Sequence, residues 1–339
     1  MATADSAYYH ALVAAAFPDL RNGTARVVGA GWDCVAVDLD GRLVFRFPRH
    51  AAAEQSLLTE IRLLPELAPL LPVPIPRYTH VSEPMLDYPY HFAGYARLPG
   101  TPMDEAGPTV VSDECLATSI GRFIAALHAV PPDQAEALGV PTYSPEGWLE
   151  RHRSLYEQAR RLIVAHLSRE AVRALDAFWH DALDDPAMCR FTPTLIHGDL
   201  VPEHILLAPD RSRVSGIIDW GDAMVADPAL DYAGFPEPFA RAMLAAVGNS
   251  SQEAEFRQRW NVYHSAAPLH AIVAGEALGR PELIADGLRA LGHRVVITDM
   301  NSGLHGVARD LRADGDAATG GNGGVGAGTR GPGGWTGGA

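Results

Sequence analysis

Two neighbouring segments, LIHGDLVPEHILL at 195–207 and SGIIDWGD at 215–222, decide the fold and the chemistry that this sequence can support. In each, a short apolar run typical of a strand ends at an acidic residue, Asp199 in the first and Asp219 in the second. Transfer of a phosphoryl group to a hydroxyl needs a carboxylate beside the attacking O–H and carboxylate oxygen for a divalent cation. The spacing therefore predicts Asp199 as the base and Asp219 as a metal ligand.

The histidines of the first segment allow more than one role. His204 follows Asp199 by five residues, and magnesium prefers oxygen to imidazole nitrogen, so a metal contact, a phosphate contact and a purely structural role all stay open. His197 is expected to brace the backbone of the turn. Three further aspartates are expected to cap backbone amides rather than to hold a metal: Asp222, Asp227 and Asp231.

The N-terminal part predicts a small antiparallel sheet. Strands are expected at 26–29, 33–39 and 42–47, with Asp40-Gly41 as a tight hairpin turn. Two glycines, Gly29 and Gly31, lie between the first two strands, where backbone amides could approach a phosphate. Helical spacing and turn residues then predict, in order, a helix at 51–67, an extended connector at 71–76, an extended segment at 88–98, and helices at 115–128, 148–183, 235–247, 253–274 and 281–291.

The motifs HGDL at 197–200, IDWGD at 218–222 and DPALD at 227–231, with His204, resemble the aminoglycoside phosphotransferase family, whose fold is related to that of protein kinases. Macrolide phosphotransferases and certain 2″-aminoglycoside phosphotransferases share this histidine. The resemblance implies an α+β, protein-kinase-like two-lobe fold. We expect a nucleotide-binding sheet lobe at 1–98, a mainly helical catalytic and substrate-binding lobe at 99–312, and a disordered tail at 313–339, where twelve of 27 residues are glycine.

The resemblance also implies roles for individual residues. Asp199 would receive the proton of the acceptor hydroxyl, while Asp219 and His204 would hold Mg²⁺. Tyr95 and Arg97 belong to the segment that would meet the purine. The sequence departs from the common family pattern at the lysine of the third strand, where it has Arg46.

A glutamate on the following helix is expected to pair with Arg46. Glu60 is the first choice because of its distance from the proline-rich connector. Glu54 is the competitor, because helical projection places it nearer the centre of the apolar stripe.

The amino-acid composition indicates which kinds of binding partner and location to expect. The net charge is −14 and all 27 basic residues other than histidine are arginine, so nucleic acid is not an expected partner. The sequence offers no apolar run long enough to span a membrane and no signal peptide, which predicts a cytoplasmic protein. The three cysteines lack paired spacing and are expected to pack as small apolar groups.

Together these features predict an ATP- or GTP-dependent O-phosphotransferase acting on a small hydroxylated molecule. The resemblance implies that the acceptor is a cationic aminoglycoside or a macrolide bound by the helical region. Acidic residues such as Glu237, Glu253 and Glu255, or aromatic groups such as Trp260 and Tyr263, would then contact it. Two alternatives are a metabolic kinase of the same fold and a kinase-like protein that binds nucleotide without turnover.

Overall fold

The computed structural model describes residues 5–248 and 253–299. These residues form two compact units, one from 5–142 with 193–248 and the other from 143–192 with 253–299. The predicted lobe boundary at 98/99 falls inside the first unit, and the division into lobes at 1–98 and 99–312 stays a prediction. The predicted disordered tail, 313–339, lies outside the described residues.

The elements follow the predicted order of a small sheet and then mainly helices. The helices are α1 (Ser6–Ala16), α2 (Ala51–Leu67), α3 (Glu114–His128), α4 (Pro132–Ala137), α5 (Pro145–Ile163), α6 (Arg169–Asp184), α7 (Glu237–Ala245), α8 (Glu253–Ala277) and α9 (Pro281–Asp299). The strands are β1 (Ala25–Ala30), β2 (Cys34–Leu39), β3 (Leu43–Pro48), β4 (Tyr78–Val81), β5 (Ala93–Ala96), β6 (Thr101–Pro102), β7 (Thr194–Ile196), β8 (Ile205–Leu207), β9 (Val214–Ile217) and β10 (Met224–Ala226). Within the described residues, none of the helices is both long and apolar enough to cross a membrane.

The N-terminal strands form an antiparallel sheet in the order β1-β2-β3-β5-β4. The predicted meander is confirmed, since β2 pairs with both β1 and β3. Asp40 and Gly41 both have positive φ, 59° and 68°, which matches the sharp turn that Asp-Gly favours between paired strands. Buried side chains on one face of the sheet, with two from α1, form its core: Leu12, Val13, Val37, Phe45, Phe47 and Phe92.

Helix α2 has the predicted bounds and lies against this sheet unit. His50 caps its start by accepting a hydrogen bond from the backbone amide of Ala53. Leu57, Glu60 and Leu64 share one helical face and are each at most 1% exposed. This register directs the Glu60 carboxylate into the interior, where it needs a partner.

The two key aspartates each follow a short strand in the second part of the first unit. Strand β7 pairs antiparallel with β10, and β8 pairs with β9 and β6. Asp199 lies three residues after β7, and Asp219 lies two residues after β9. Asp219 has φ of 65°, a left-handed conformation that aspartate tolerates better than most residues.

The second unit is helical, with α5, α6, α8 and α9. The Trp148 indole of α5 donates a hydrogen bond to the Tyr263 hydroxyl of α8 at 3.0 Å, and both side chains are at most 1% exposed. Trp260 is 7% exposed. Both aromatic residues proposed for an acceptor pocket therefore pack in the core of this unit.

Candidate active site

A buried carboxylate fixes the turn that carries Asp199. Asp231 is 0% exposed and accepts hydrogen bonds from the amides of His197, at 3.1 Å, and Gly198, at 3.0 Å. One of its oxygens also lies 3.0 Å from Nε2 of His128. The predicted capping role of Asp231 is confirmed, because it holds two consecutive amides immediately before the catalytic candidate.

His197 braces the same turn, as predicted. Its Nε2 donates to the carbonyl of Ile218 at 3.1 Å, and its Nδ1 faces the amide of Asp199 at 3.4 Å. Burial lowers the pKa of His197 to about 4, so the ring is neutral at physiological pH. Asp227 also caps as predicted, accepting from the amide of Ala229 at 2.9 Å.

Asp199 has a carboxylate oxygen that can still accept a hydrogen bond. The residue is 3% exposed, and its Oδ1 is buried without a hydrogen-bond partner among the described residues. Burial raises the pKa of Asp199, although the neighbouring His204 works against this. A buried acceptor without a partner is costly, so it is suited to receive a ligand hydroxyl.

His204 lies between the two aspartates. Its Nδ1 is 2.8 Å from the carbonyl oxygen of Asp199 and donates to it, while its Nε2 is 3.5 Å from Oδ2 of Asp219. Burial opposes protonation, but the carboxylates of Asp199 and Asp219 outweigh it and raise the pKa of His204. The five-residue spacing in the sequence therefore does bring this ring to both acidic groups.

Arg46 joins three elements through one guanidinium. Its Nη1 donates to both oxygens of Glu60, at 2.7 and 2.8 Å, and its Nη2 donates to Oδ1 of Asp219 at 2.7 Å. The Tyr78 hydroxyl donates to Glu60 at 2.8 Å. Loss of hydration opposes ionisation of Asp219, but Arg46 and then His204 outweigh it and lower its pKa to about 2.

The competing glutamate has a different partner. Glu54 accepts hydrogen bonds from the amide of His91, at 2.8 Å, and from its Nδ1, at 2.7 Å. The choice of Glu60 over Glu54 is thus confirmed. Tyr78 was missed by the sequence reasoning, because a tyrosine at the start of a short strand carries no local sign of its partner.

A cleft of about 170 Å³ opens beside these groups within the first unit. It is lined by the turn at 29–34, by the first turns of α2, and by Arg46 and the segment 219–222. Gly29 and Gly31 are among the lining residues, and their contact with a phosphate stays a prediction.

The two residues expected to meet the purine are not among the residues that line this cleft. The Tyr95 ring packs against Tyr78, with ring centres 5.5 Å apart. The guanidinium of Arg97 pairs with the carboxylate of Asp38. Their contact with a nucleotide stays a prediction.

Asp219 keeps a carboxylate oxygen available to a cation, whereas the neighbouring His204 offers a ring nitrogen, which magnesium binds less readily than oxygen. The Asp219 side chain is 45% exposed, and its Oδ2 is not used by Arg46. Among the described residues there is no group of three or more His, Cys, Asp or Glu arranged as a metal site. Magnesium held mainly by phosphates and water needs only one or two protein ligands, and the roles of Asp219 and His204 as these ligands stay predictions.

Comparison with known proteins places the chain in a family. The profile of the phosphotransferase enzyme family (APH) matches residues 24–271, a span that includes Arg46, Glu60, Asp199 and Asp219. The chain belongs to this family. Viomycin phosphotransferase of Streptomyces vinaceus is 24% identical over 201 residues, 57% of this chain and 67% of that protein.

Other relatives extend the comparison. Uncharacterized protein YcbJ of Bacillus subtilis (strain 168) is 31% identical over 146 residues, and this match spans 43% of the chain but less than half, 44%, of that protein. The solved GDP and kanamycin complex of APH(2")-IIIa is 26% identical with a TM-score of 0.76, covering 84% of this chain and 97% of its own. Macrolide 2'-phosphotransferase MphH of Brachybacterium faecium is 26% identical with a TM-score of 0.61, covering 77% and 90%. The predicted family and its two-lobe α+β, kinase-like fold are confirmed.

Proposed function

We propose that this protein transfers the γ-phosphoryl group of ATP or GTP to a hydroxyl of a small antibiotic, and so inactivates it. The unpartnered, buried Oδ1 of Asp199, in a turn fixed by Asp231, is the observation that carries the proposal. Family membership supports the class of reaction.

Each residue of the cluster has a place in this reaction. Asp199 orients the acceptor hydroxyl and receives its proton as the oxygen attacks phosphorus. Arg46 provides positive charge beside the cleft, and Glu60 holds it in place through two short hydrogen bonds. Arginine keeps its charge in this buried position, where a lysine is more easily neutralised.

Asp219 and His204 would hold Mg²⁺ in this proposal, and the turn at 29–34 would surround the phosphates. The metal would neutralise charge on the transferring phosphoryl group. Homologues were solved with GDP, which supports nucleotide use, and both ATP and GTP are proposed as donors. A cytoplasmic location fits a reaction that consumes a nucleoside triphosphate.

The proposed acceptor is a hydroxylated, cationic small molecule. The relatives named above are a viomycin phosphotransferase, a 2″-aminoglycoside enzyme solved with kanamycin, and a macrolide 2'-phosphotransferase. The net charge of −14 would raise the local concentration of a cationic acceptor such as an aminoglycoside.

The test is phosphoryl transfer from labelled ATP and GTP to a panel of aminoglycosides, macrolides and viomycin, with mass measurement of the product. The Asp199→Asn variant should lose transfer by at least about 10²-fold, since general acid–base groups contribute on this scale, and should keep its nucleotide affinity. Asp210→Asn, at an exposed turn, is the matched control. Equal turnover in the Asp199 variant, or no transfer to any acceptor by the unchanged protein, would refute the proposal.

A second candidate function is nucleotide binding without turnover. It is favoured by the 2.7 Å bond from Arg46 to Asp219, which occupies an oxygen that a metal could use. This function would be supported if the protein binds ADP or GDP but transfers phosphate neither to the antibiotic panel nor to sugars and amino alcohols. Transfer to one of the latter acceptors alone would instead indicate a metabolic kinase.

A further inference from the structure

The glycine turn beside the cleft is fastened to the start of α2 by two consecutive residues. The amide of Arg49 donates to the carbonyl of Asp33 at 2.7 Å, and its guanidinium donates to the carbonyl of Gly31 at 2.8 Å. Next along the chain, Nε2 of His50 lies 3.0 Å from Oδ1 of Asp33. Three hydrogen bonds thus join the turn to the connection between β3 and α2.

His50 uses its second ring nitrogen for the helix. Its Nδ1 accepts a hydrogen bond from the amide of Ala53 at 3.2 Å and so caps α2. A ring nitrogen that accepts a hydrogen bond carries no proton, so the proton of the neutral ring is on Nε2, which donates to Asp33. One imidazole therefore binds the helix and the turn at the same time.

These contacts lie between two walls of the cleft. Residues of the turn, including Gly31 and Asp33, line one side, and Ala53 and Glu60 of α2 line another. Glu60 is also the residue that holds Arg46. A shift of α2 relative to the turn would therefore change both the width of the cleft and the position of its guanidinium.

We propose that His50 is a positioning residue for nucleotide binding, which holds the glycine turn at a set distance from α2. This inference rests on the proposed function, because it takes the cleft as the site of the nucleotide phosphates. His50 and Asp33 side chains are 45% and 30% exposed, and exposed pairs of this kind contribute little. The expected effect of breaking the pair is accordingly about 2- to 5-fold in nucleotide affinity.

Four variants separate the two bonds of the imidazole. His50→Asn keeps a good helix cap but is too short to reach Asp33. Asp33→Ala removes the acceptor, Asp33→Asn keeps an oxygen that can accept from Nε2, and His50→Asn/Asp33→Ala completes a double-mutant cycle. Asp210→Ala, at an exposed turn outside the cleft, is the matched control.

The measurements are dissociation constants for ADP and GDP by calorimetry, and amide exchange of residues 29–34 without nucleotide. We expect His50→Asn to weaken binding about 2- to 5-fold relative to the unchanged protein. Asp33→Ala should bind about 2- to 5-fold more weakly than Asp33→Asn, which lacks the same charge but keeps the hydrogen bond, and the double variant should bind no more weakly than Asp33→Ala. Amide exchange of the turn should accelerate in the two weakened variants. Additive losses, unchanged affinities, or unchanged exchange would each overturn the proposal.

The exchange measurement also separates this inference from the proposed function. If the unchanged protein binds neither ADP nor GDP, the proposed function fails and affinity cannot be used. Accelerated exchange in His50→Asn and Asp33→Ala, but not in Asp33→Asn, would still support the positioning role within the fold, whereas equal exchange in all of them would refute it.

Discussion

Replacing Arg46 by methionine should show how much its guanidinium contributes to the free energy of unfolding. The side chains of Arg46 and Glu60 are 12% and 2% exposed, so this pair is shielded from water. Methionine removes both hydrogen bonds to Glu60 and, among the described residues, leaves that carboxylate with the hydrogen bond from the Tyr78 hydroxyl. Breaking a buried ion pair by removing one partner costs about 3–5 kcal/mol, and this is the expected loss in the free energy of unfolding.

The loss should depend on pH. Burial raises the pKa of Glu60 to about 7 from its ordinary 4.5, even though Arg46 opposes the change, and without Arg46 it should rise further. A carboxyl whose folded pKa exceeds its unfolded value stabilises the fold fully at low pH, and this contribution is lost as pH rises through the folded pKa. The loss caused by the unpaired Glu60 should therefore be smallest near pH 4.5 and full only well above pH 7. The loss of the Arg46 bond to Asp219, whose pKa is about 2, should persist at both pH values.

Urea unfolding at both ends of this pH window measures the effect. The double variant Arg46→Met/Glu60→Gln removes the unpaired charge and should recover at least half of the loss at high pH. Arg160→Met, which breaks the exposed pair with Asp176, is the control and should change stability much less than Arg46→Met does at high pH. A loss of equal size at both pH values, or a double variant no more stable than Arg46→Met, would refute this reasoning.

Three further variants test other parts of the structure. Asp231→Asn puts an NH₂ group where a buried oxygen accepts a hydrogen bond from an amide of the turn. The free energy of unfolding in urea should fall by about 1–3 kcal/mol and the transfer rate should fall too; unchanged values would contradict the role given to this carboxylate. Gly198→Ala places a Cβ 2.0 Å from a carbonyl oxygen at φ of 84° and should lower the melting temperature strongly, whereas Gly31→Ala, whose nearest neighbour would be 3.6 Å away, should not; similar shifts would refute the steric argument. Tyr263→Phe leaves the Trp148 indole without its hydroxyl partner and should cost about 1–3 kcal/mol, checked by thermal unfolding of the whole chain, and a neutral result would count against that bond.

Local signals in the sequence were sufficient for most of the fold. The hairpin at Asp40-Gly41 needs φ values that few residue pairs provide, and the stripe ending at Leu67 repeats at helical spacing, so both features depend on neighbours in sequence. The same holds for Asp199 and Asp219, because each lies within three residues of the end of a short apolar strand.

Contacts between distant segments could not be predicted in this way. The pairing of Tyr78 with Glu60 and of His50 with Asp33 depends on how strands and helix pack, and neither pair has a spacing that local structure requires. The choice between Glu54 and Glu60 had the same difficulty. Projection favoured Glu54, yet the buried face of α2 runs through 57, 60 and 64 and leaves Glu54 beside His91.

The bond between Arg46 and Asp219 joins residues 173 positions apart, and this separation has a consequence for synthesis of the protein. At about 5–20 residues per second, the ribosome needs roughly 9 to 35 s to pass from one to the other. During that interval Arg46 and Glu60 have been synthesised but Asp219 has not. Segment 143–192, which belongs to the other unit, is synthesised before residue 219. The guanidinium of Arg46 can therefore reach its full set of partners only after residue 219 has left the ribosome.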